Sequence, residues 1–149
     1  IFGGAMALFE ECTIFSHDKE GYITAASTPE KQQYGYLFLK CKILGQKNMD
    51  AKVYLGRPWR NNAKTVFINC QIDSHVKEEL WHDWNKIDAH KTTFYAIDNQ
   101  TLENFAYNSS AEKILKKIAP WSKVLTNEQG ADYTKEFLKV FFDKKTLFF

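Results

Sequence analysis

The chain has 149 residues, of which 44% are hydrophobic and 26% are charged, an ordinary composition for one globular domain with a core. The net charge of +2 is too small to predict a nucleic-acid partner, and no run of 18 apolar residues predicts a membrane span. Because the first residue is Ile1 and not methionine, we expect the chain to be processed or cut from a longer one.

Three cysteines reveal an internal repeat. Cys12, Cys41 and Cys70 follow one another at intervals of 29 residues, and each lies in a segment of the form [LV]-F-x-x-C-x-I. Self-similarity with a fixed period of about 20 to 50 residues is typical of solenoids, in which each repeat buries its apolar face against the next. We therefore expect three stacked copies of this segment, at residues 8–14, 37–43 and 66–72.

The repeats have the composition of β-strands. They are rich in Phe, Ile, Val, Tyr and Thr and are punctuated by glycines, whereas a helical or nucleic-acid-binding module would need longer amphipathic helices. The Phe and the Cys of each segment have opposite parity in a strand, so we expect a bend between them. These features predict an all-β fold, a right-handed parallel β-helix with one coil per repeat. We expect the cysteines to form one buried, reduced ladder, because their odd number and their spacing argue against disulfides and against a zinc site.

Residues 54–60, Y-L-G-R-P-W-R, join two copies of the repeat. Gly56 permits a tight backbone turn and Pro58 fixes φ, so we predict a rigid corner that holds Arg57 close to Trp59. A guanidinium group binds a carboxylate through two parallel hydrogen bonds, and an indole offers a flat face to a sugar ring. The pair is therefore a candidate site for an anionic sugar. The alternative is a surface ion pair for Arg57 and a half-buried core position for Trp59.

The periodicity ends near residue 97. We therefore expect a partial β-helix over residues 1–97 and a flanking segment with short helices over residues 98–149. Ser110 is a candidate N-cap for a helix with three apolar residues on one face, Ile114, Leu115 and Ile118. Residues 126–129, T-N-E-Q, have the pattern of a capping box, and apolar residues follow at helical spacing, namely Tyr133, Phe137, Leu138 and Phe141. We expect this second helix to cap or flank the open end of the solenoid.

Several motifs resemble those of the pectin methylesterases, or pectinesterases. L-G-R-P-W at residues 55–59 is preceded by G-Y-I-T-A at 21–25 and followed by T-V-F-I-N-C at 65–70 and W-x-x-W at 81–84. I-F-G at residues 1–3 resembles the end of the family's D-F-I-F-G motif, and residues 120–126 resemble its C-terminal stretch. The chain is thus similar to the C-terminal part of that family's catalytic domain, whose fold is a right-handed parallel β-helix.

The resemblance implies an activity and a set of site residues. In the family, an aspartate attacks the methyl ester of a galacturonate unit of pectin, a second aspartate acts as general acid and then as base, and glutamines stabilise the oxyanion. By their positions in the motifs, Arg57 would bind the nucleophilic carboxylate, Trp59 and Trp84 would line the sugar cleft, and Phe2 would lie beside the nucleophile. For Phe2 and Trp84 the alternative is core packing.

The same resemblance implies neither a metal nor an organic cofactor. We expect a monomer that acts on pectin outside the cell, at the cell wall, in cell-wall modification or pectin breakdown, and that binds no nucleic acid and no membrane.

The chain also departs from the family pattern. The nucleophilic aspartate would lie two positions before Ile1 and the acid/base aspartate further upstream, so we expect this chain alone to be inactive. Leu80 stands where the family has a glycine. Residues 96–99, A-I-D-N, also differ from the family's sequence at that place. The alternative function is therefore a non-catalytic β-solenoid that binds carbohydrate, or a degraded relative without activity.

Overall fold

The strands of this chain stack into three parallel sheets, which we call sheets A, B and C. The computed structural model describes residues 1–17, 20–46, 52–105 and 110–145, with only the backbone at residues 144 and 145. Sheet A contains β1 (Phe2–Gly3), β4 (Gly21–Ala26) and β7 (Val53–Pro58). Sheet B contains β2 (Ala7–Glu10), β5 (Tyr36–Leu39), β8 (Lys64–Ile68), β10 (Phe94–Asp98) and β11 (Lys123–Leu125). Sheet C contains β3 (Thr13–Ser16), β6 (Lys42–Gly45) and β9 (Gln71–Ile72).

Successive coils are in register at the predicted interval. Phe9 pairs with Phe38 and Phe38 with Phe67, while Ile14 pairs with Ile43 in sheet C. The rings of Phe38 and Phe67 are stacked, with centroids 4.3 Å apart and planes 6° from parallel. This spacing is close to the distance between neighbouring strands, as expected for identical side chains on adjacent coils. The predicted parallel β-helix is confirmed.

A sharp corner separates sheet B from sheet C in every repeat. Glu11, Lys40 and Asn69 lie directly before the three cysteines and have φ angles of 53°, 53° and 50°. One residue in the left-handed region reverses the alternation of side chains between the two faces, so the Phe before the corner and the Ile after it both point inward. The predicted bend is confirmed, and the sequence places it only approximately because two of the three residues are not types that favour this region.

The cysteines form the predicted ladder of free thiols. Cys41 and Cys70 are buried, and Cys12, in the first coil, is half-buried. Cys41 Sγ donates to the carbonyl oxygen of Phe9 at 3.2 Å, and Cys70 Sγ donates to that of Phe38 at 3.4 Å. The hydrogen bond with Cys41, together with burial, raises the pKa of the Cys70 thiol, so it stays protonated.

Sheet B is buried on both faces. Phe38 points into the interior of the solenoid, whereas Leu37 and Leu39 point outward. Phe137, on the long helix α3 (Asn127–Lys145), covers the outward face. The predicted helix is present, but its predicted place at the open end of the solenoid is wrong, because its apolar residues cover the outward face of sheet B.

A different helix covers the end of the solenoid. In α1 (Asn99–Phe105), Thr101 Oγ1 accepts a hydrogen bond from Cys70 N at 2.9 Å, and Leu102 packs into the interior. Asp98 Oδ1 accepts hydrogen bonds from the backbone N–H groups of Asn69 and Thr101, at 3.0 and 2.9 Å. In a longer solenoid, the backbone N–H groups of Asn69 and Cys70 would bond to a further coil. Here Asp98 and Thr101, at the start of α1, accept those hydrogen bonds. No sequence pattern was interpreted as this helix, α1.

Both predicted helix caps are present. Ser110 accepts from Lys113 N at the start of α2 (Ala111–Leu115), and Thr126 and Gln129 exchange backbone-to-side-chain hydrogen bonds at the start of α3. Ile114 is buried as predicted, but the assignment of Leu115 to the apolar face is wrong, since 47% of it is exposed. Leu115 is the last residue of the helix, and it does not belong to the buried core.

The predicted division at residue 97 stays a prediction. β11 lies beyond that position and joins sheet B through parallel pairing with β10. Among the described residues, no helix is long and apolar enough to cross a membrane.

Candidate functional site

The L-G-R-P sequence lies within strand β7, so the predicted corner is wrong in its position. The strand continues to Pro58, and the chain turns only at residues 59–62. Gly56 is required for close packing and not for a turn, because a Cβ there would lie 2.2 Å from Thr24 Oγ1 and 3.3 Å from the ring of Trp81. Pro58 is compatible with the strand because β7 is at the edge of sheet A.

Arg57 is held among aromatic rings. Its guanidinium carbon lies 3.9 Å from the ring centroid of Trp84, 4.8 Å from that of Trp59 and 5.0 Å from that of Tyr22. Cation–π contacts of this kind favour the charged side chain in a partly dry environment. Two of its nitrogens, Nε and Nη1, are shielded from solvent and have no hydrogen-bond partner. Leaving charged donors unpaired is costly, so the guanidinium group of Arg57 is suited to pair with a carboxylate.

The predicted site residues lie together. The rings of Trp59 and Trp84 are stacked with centroids 5.9 Å apart, and Phe2 meets Trp59 edge-on at 5.1 Å. Phe2 is 65% exposed and Trp84 is 45% exposed, so these two rings do not belong to the core. We call Phe2, Arg57, Trp59 and Trp84 the aromatic wall. It offers flat apolar faces beside a cation, and its role in binding sugar stays a prediction.

The loop that carries Trp84 is held by Asp83 and His90. Trp84 has a φ of 53°, and the carboxylate of Asp83 accepts from Asn85 N at 2.9 Å. His90 Nε2 lies 3.0 Å from Asp83 Oδ2, and the His90 ring stacks on Trp121 at 4.9 Å. Partial burial alone would raise the pKa of Asp83, but the hydrogen bonds from Asn85 and His90 outweigh it and lower that pKa. The D-x-N pattern of an Asx turn was the available signal.

Residues 1–138 match the sequence profile of the family described as Pectinesterase. The chain belongs to the pectinesterase family. It is 31% identical over 136 residues to Pectinesterase 31 of Arabidopsis thaliana, across 89% of this chain and 39% of that protein. It is 30% identical over 141 residues to Pectinesterase QRT1 of the same plant, across 93% of this chain and 34% of that protein.

The fold is shared with a pectinesterase relative of known structure. A pectin methylesterase from Yersinia enterocolitica superposes with a TM-score of 0.56 at 21% identity, across 87% of this chain and 45% of that one. The predicted family and the right-handed parallel β-helix are therefore confirmed. The chain spans between 23% and 39% of the length of several curated relatives that it matches.

In this pectinesterase chain, Leu80 adopts a backbone conformation that suits glycine. Its φ is 60°, and its side chain is completely buried. Its carbonyl oxygen accepts from Leu55 N at 2.7 Å, which ties the segment before Trp81 to strand β7. A glycine, which the family resemblance implies at this position, would adopt this conformation without strain, and here burial of the leucine side chain opposes the strain.

A second group of aromatic rings continues from Arg57 along sheet A, and the sequence analysis did not identify it. Tyr22 stacks on Tyr54 at 5.6 Å, and His82 stacks on Tyr54 at 4.9 Å. The Tyr22 hydroxyl and His82 Nδ1 are 2.6 Å apart and share a hydrogen bond. Lys77 Nζ donates to the Tyr54 hydroxyl at 3.1 Å. This stack holds Tyr22 against Arg57 and limits the positions open to the guanidinium group.

Arg57 has no carboxylate partner within the described ranges. No Asp or Glu among those residues forms an ion pair with Arg57. In the same part of the chain, no three His, Cys, Asp or Glu side chains gather closely enough to hold a metal ion.

Proposed function

We propose that this chain forms one side of the active site of a pectinesterase that hydrolyses the methyl esters of galacturonan to pectate and methanol. The observation that carries the proposal is the state of Arg57, a cation among three aromatic rings with two shielded nitrogens that have no partner. A carboxylate at that place would pair with the guanidinium fork and stay ionised, which is the state that a nucleophile needs. Family membership supports the same assignment.

In the proposed reaction, the two carboxylates carry out the chemistry, and the residues of this chain orient the nucleophile and the sugar. An aspartate attacks the ester carbonyl, and a second carboxylic acid gives its proton to the departing methoxide, which leaves as methanol. The second carboxylate then takes a proton from the water that cleaves the acyl intermediate. We propose that both carboxylates come from residues that precede Ile1 in a longer protein and that this chain alone has no turnover. Arg57 would then orient the nucleophile, while Trp59, Trp84 and Phe2 position the sugar ring beside it.

The test is methanol release from methylated pectin by a longer protein that includes both aspartates. We expect Arg57→Ala to lower kcat by about a hundredfold or more, because an unpaired nucleophile is less well oriented and more easily protonated. Lys123→Ala is the matched control, since it removes an exposed positive charge from β11, away from the aromatic wall. Equal rates for Arg57→Ala and Lys123→Ala would contradict the proposal.

A second candidate function is carbohydrate binding without turnover. The exposure of Phe2 and Trp84 favours it, because exposed aromatic rings bind sugars with or without chemistry. Under this alternative, the longer protein would bind galacturonan and release no methanol. Under the first proposal it does both.

The substrate sets the expected location and partners. We propose that the protein acts outside the cell on cell-wall pectin, as a monomer without a nucleic-acid partner. Sedimentation in the presence and absence of galacturonan measures the oligomeric state directly.

A further inference from the structure

His82 is held against strand β7 although it is not part of the aromatic wall. Its backbone N–H donates to the carbonyl oxygen of Gly56 at 3.1 Å, and an isolated parallel bridge joins Gly56 to Trp81. These contacts fix the backbone of His82 beside the residue that precedes Arg57. The place of the imidazole ring is therefore set by the pairing of neighbouring coils.

The imidazole packs in a group of three nearly parallel rings. Its centroid lies 4.9 Å from that of Tyr54 and 5.8 Å from that of Tyr22, with interplanar angles of 17° and 12°. Tyr22 and Tyr54 are paired in the register of β4 and β7. Any flat ring at position 82 would satisfy this packing, so the packing does not explain a histidine.

The hydrogen bond between the Tyr22 hydroxyl and His82 Nδ1 does require a polar ring. The two atoms are 2.6 Å apart, although the residues are 60 positions apart in the sequence. Burial raises the pKa of Tyr22, so its hydroxyl keeps its proton at neutral pH. A neutral phenol is a better donor than acceptor, so we assign Tyr22 as the donor and Nδ1 as the acceptor. The proton of the neutral imidazole then lies on Nε2.

Tyr22 connects this hydrogen bond to the guanidinium group. The guanidinium carbon of Arg57 lies 5.0 Å from the ring centroid of Tyr22. A phenol that donates a hydrogen bond carries more negative charge on its ring, which strengthens its attraction for a cation over its face. The same bond holds the ring in one place. His82 thus affects both the strength and the geometry of the contact between Tyr22 and Arg57.

We propose that His82 is a positioning residue: by holding the Tyr22 hydroxyl, it fixes the ring on which Arg57 lies and so fixes where the guanidinium group pairs with the nucleophilic carboxylate. The proposal rests on the proposed function, because it assumes that such a carboxylate is present. In this role His82 touches neither the sugar nor the reacting atoms. A displacement of about 1 Å in a positioning group can lower a rate by about a hundredfold, so the effect is measurable.

The guanidinium group can be followed directly by NMR, since the two arginines of this chain are Arg57 and Arg60. Isotope labelling of arginine reports their Nε–H groups, and loss of one signal in Arg57→Lys assigns it. Arg60 is exposed and serves as the internal reference. In the wild type we expect the Arg57 signal to be shifted by the rings around it and to exchange with solvent more slowly than that of Arg60, because Arg57 Nε is shielded. This measurement needs no turnover.

Three substitutions separate the hydrogen bond from ring packing. His82→Phe keeps a flat ring without the acceptor, Tyr22→Phe keeps the ring without the donor, and His82→Asn keeps an acceptor without the ring. We expect both Phe variants to speed exchange of the Arg57 Nε–H about tenfold, and His82→Asn to retain most of the protection. Tyr54→Phe is the matched control. It removes a hydroxyl that accepts from Lys77 and keeps the neighbouring ring, so exchange should be unchanged.

Methanol release by the longer protein tests the effect on the reaction. We expect His82→Phe and Tyr22→Phe each to lower kcat about tenfold with KM unchanged, and the double variant to lose no more than either one. The acidic limb of the pH profile of kcat/KM should move to higher pH, because a carboxylate that pairs less well with Arg57 is more easily protonated. A role in sugar packing would raise KM and leave that limb in place.

The outcomes separate this proposal from the function on which it rests. Wild-type exchange in both Phe variants refutes it, and so does faster exchange with kcat unchanged in an active protein. If His82→Asn loses as much protection as His82→Phe, the ring and not the hydrogen bond holds Tyr22, and the proposal is again refuted. An inactive longer protein would contradict the proposed function, and the exchange rates would still decide whether His82 holds Arg57.

Discussion

The guanidinium carbon of Arg57 lies 3.9 Å from the ring centroid of Trp84, and Trp84 reaches this place from a backbone with φ of 53°. The two residues come from different coils, β7 and the segment after Trp81. A bulky residue in the left-handed region costs about 1–2 kcal/mol, and such strain is retained where surrounding contacts hold it. Here the contacts are the cation beneath the ring and the Asp83–His90 pair beside it.

Replacement of Trp84 tests the value of this contact for binding. We expect Trp84→Ala to weaken galacturonan binding about tenfold, because it removes both a stacking face and a cation–π partner worth about 1–2 kcal/mol. Trp84→Phe keeps a ring and should lose less. Since Trp84 is 45% exposed, the free energy of unfolding in urea should change by less than about 1 kcal/mol in either variant. Equal binding by wild type and Trp84→Ala would show that the ring is not part of the sugar site.

Gly56 provides a second prediction, about packing beneath the site. A Cβ at this position would lie 2.2 Å from Thr24 Oγ1, so we expect Gly56→Ala to lower the free energy of unfolding by about 1–3 kcal/mol. Thr24→Ala removes the clashing oxygen but also its hydrogen bond to the Leu55 carbonyl, at a cost of about 1–2 kcal/mol. Urea unfolding of the single and double variants measures the coupling. The double variant should be more stable than the sum of the two losses by about 1 kcal/mol, and strict additivity would contradict the clash.

The Asp83 carboxyl gives a prediction about pH. Its pKa is lowered below the ordinary value of 3.8, so the folded state binds the proton less well than the unfolded state does. The stabilisation is therefore fully present above the ordinary pKa and is lost as pH falls through the lowered one. As the pH falls from about 5 to about 2, we expect the melting temperature of the wild type to fall by more than that of Asp83→Asn. Parallel curves for the two proteins would show that the pair does not stabilise the loop.

The sequence was sufficient to predict the β-helical coils because the same motif recurs three times. Phe38 lies over Phe67 for the same reason that their segments match, and one interval of 29 residues determines the register of β2, β5 and β8 in sheet B and of the strands in sheet C. Helix caps were also predictable, since a capping box is a local pattern in which the partners lie three residues apart.

Other features depend on partners that are distant in the sequence. Gly56 was interpreted as a turn residue because its neighbour across the sheet, Thr24, is visible only once the strands are paired. The ring of His90 is held between Asp83 and Trp121, and no local pattern predicts this contact, because Trp121 is distant in the sequence, in the turn before β11. The aromatic wall was predicted through the family motif, and its geometry around Arg57 required the coordinates of three coils.

Leu80 allows the left-handed strain to be measured directly. Its φ of 60° favours glycine by about 1–2 kcal/mol, while loss of a fully buried leucine side chain costs about 2–5 kcal/mol. The cavity cost is the larger of the two, so Leu80→Gly should be less stable than wild type even though glycine is the family's residue. Leu80→Ala loses most of the same side chain and keeps the strain of a Cβ at positive φ.

We therefore expect an order of stability in urea unfolding, from wild type through Leu80→Gly to Leu80→Ala, with the last two separated by about 1 kcal/mol. This order reverses the usual preference for alanine over glycine, which comes from the larger conformational entropy of unfolded glycine. Leu102→Gly and Leu102→Ala, at a buried leucine inside helix α1, are the matched controls and should show the usual order. A Leu80→Ala variant that is more stable than Leu80→Gly would show that the backbone at residue 80 carries no strain.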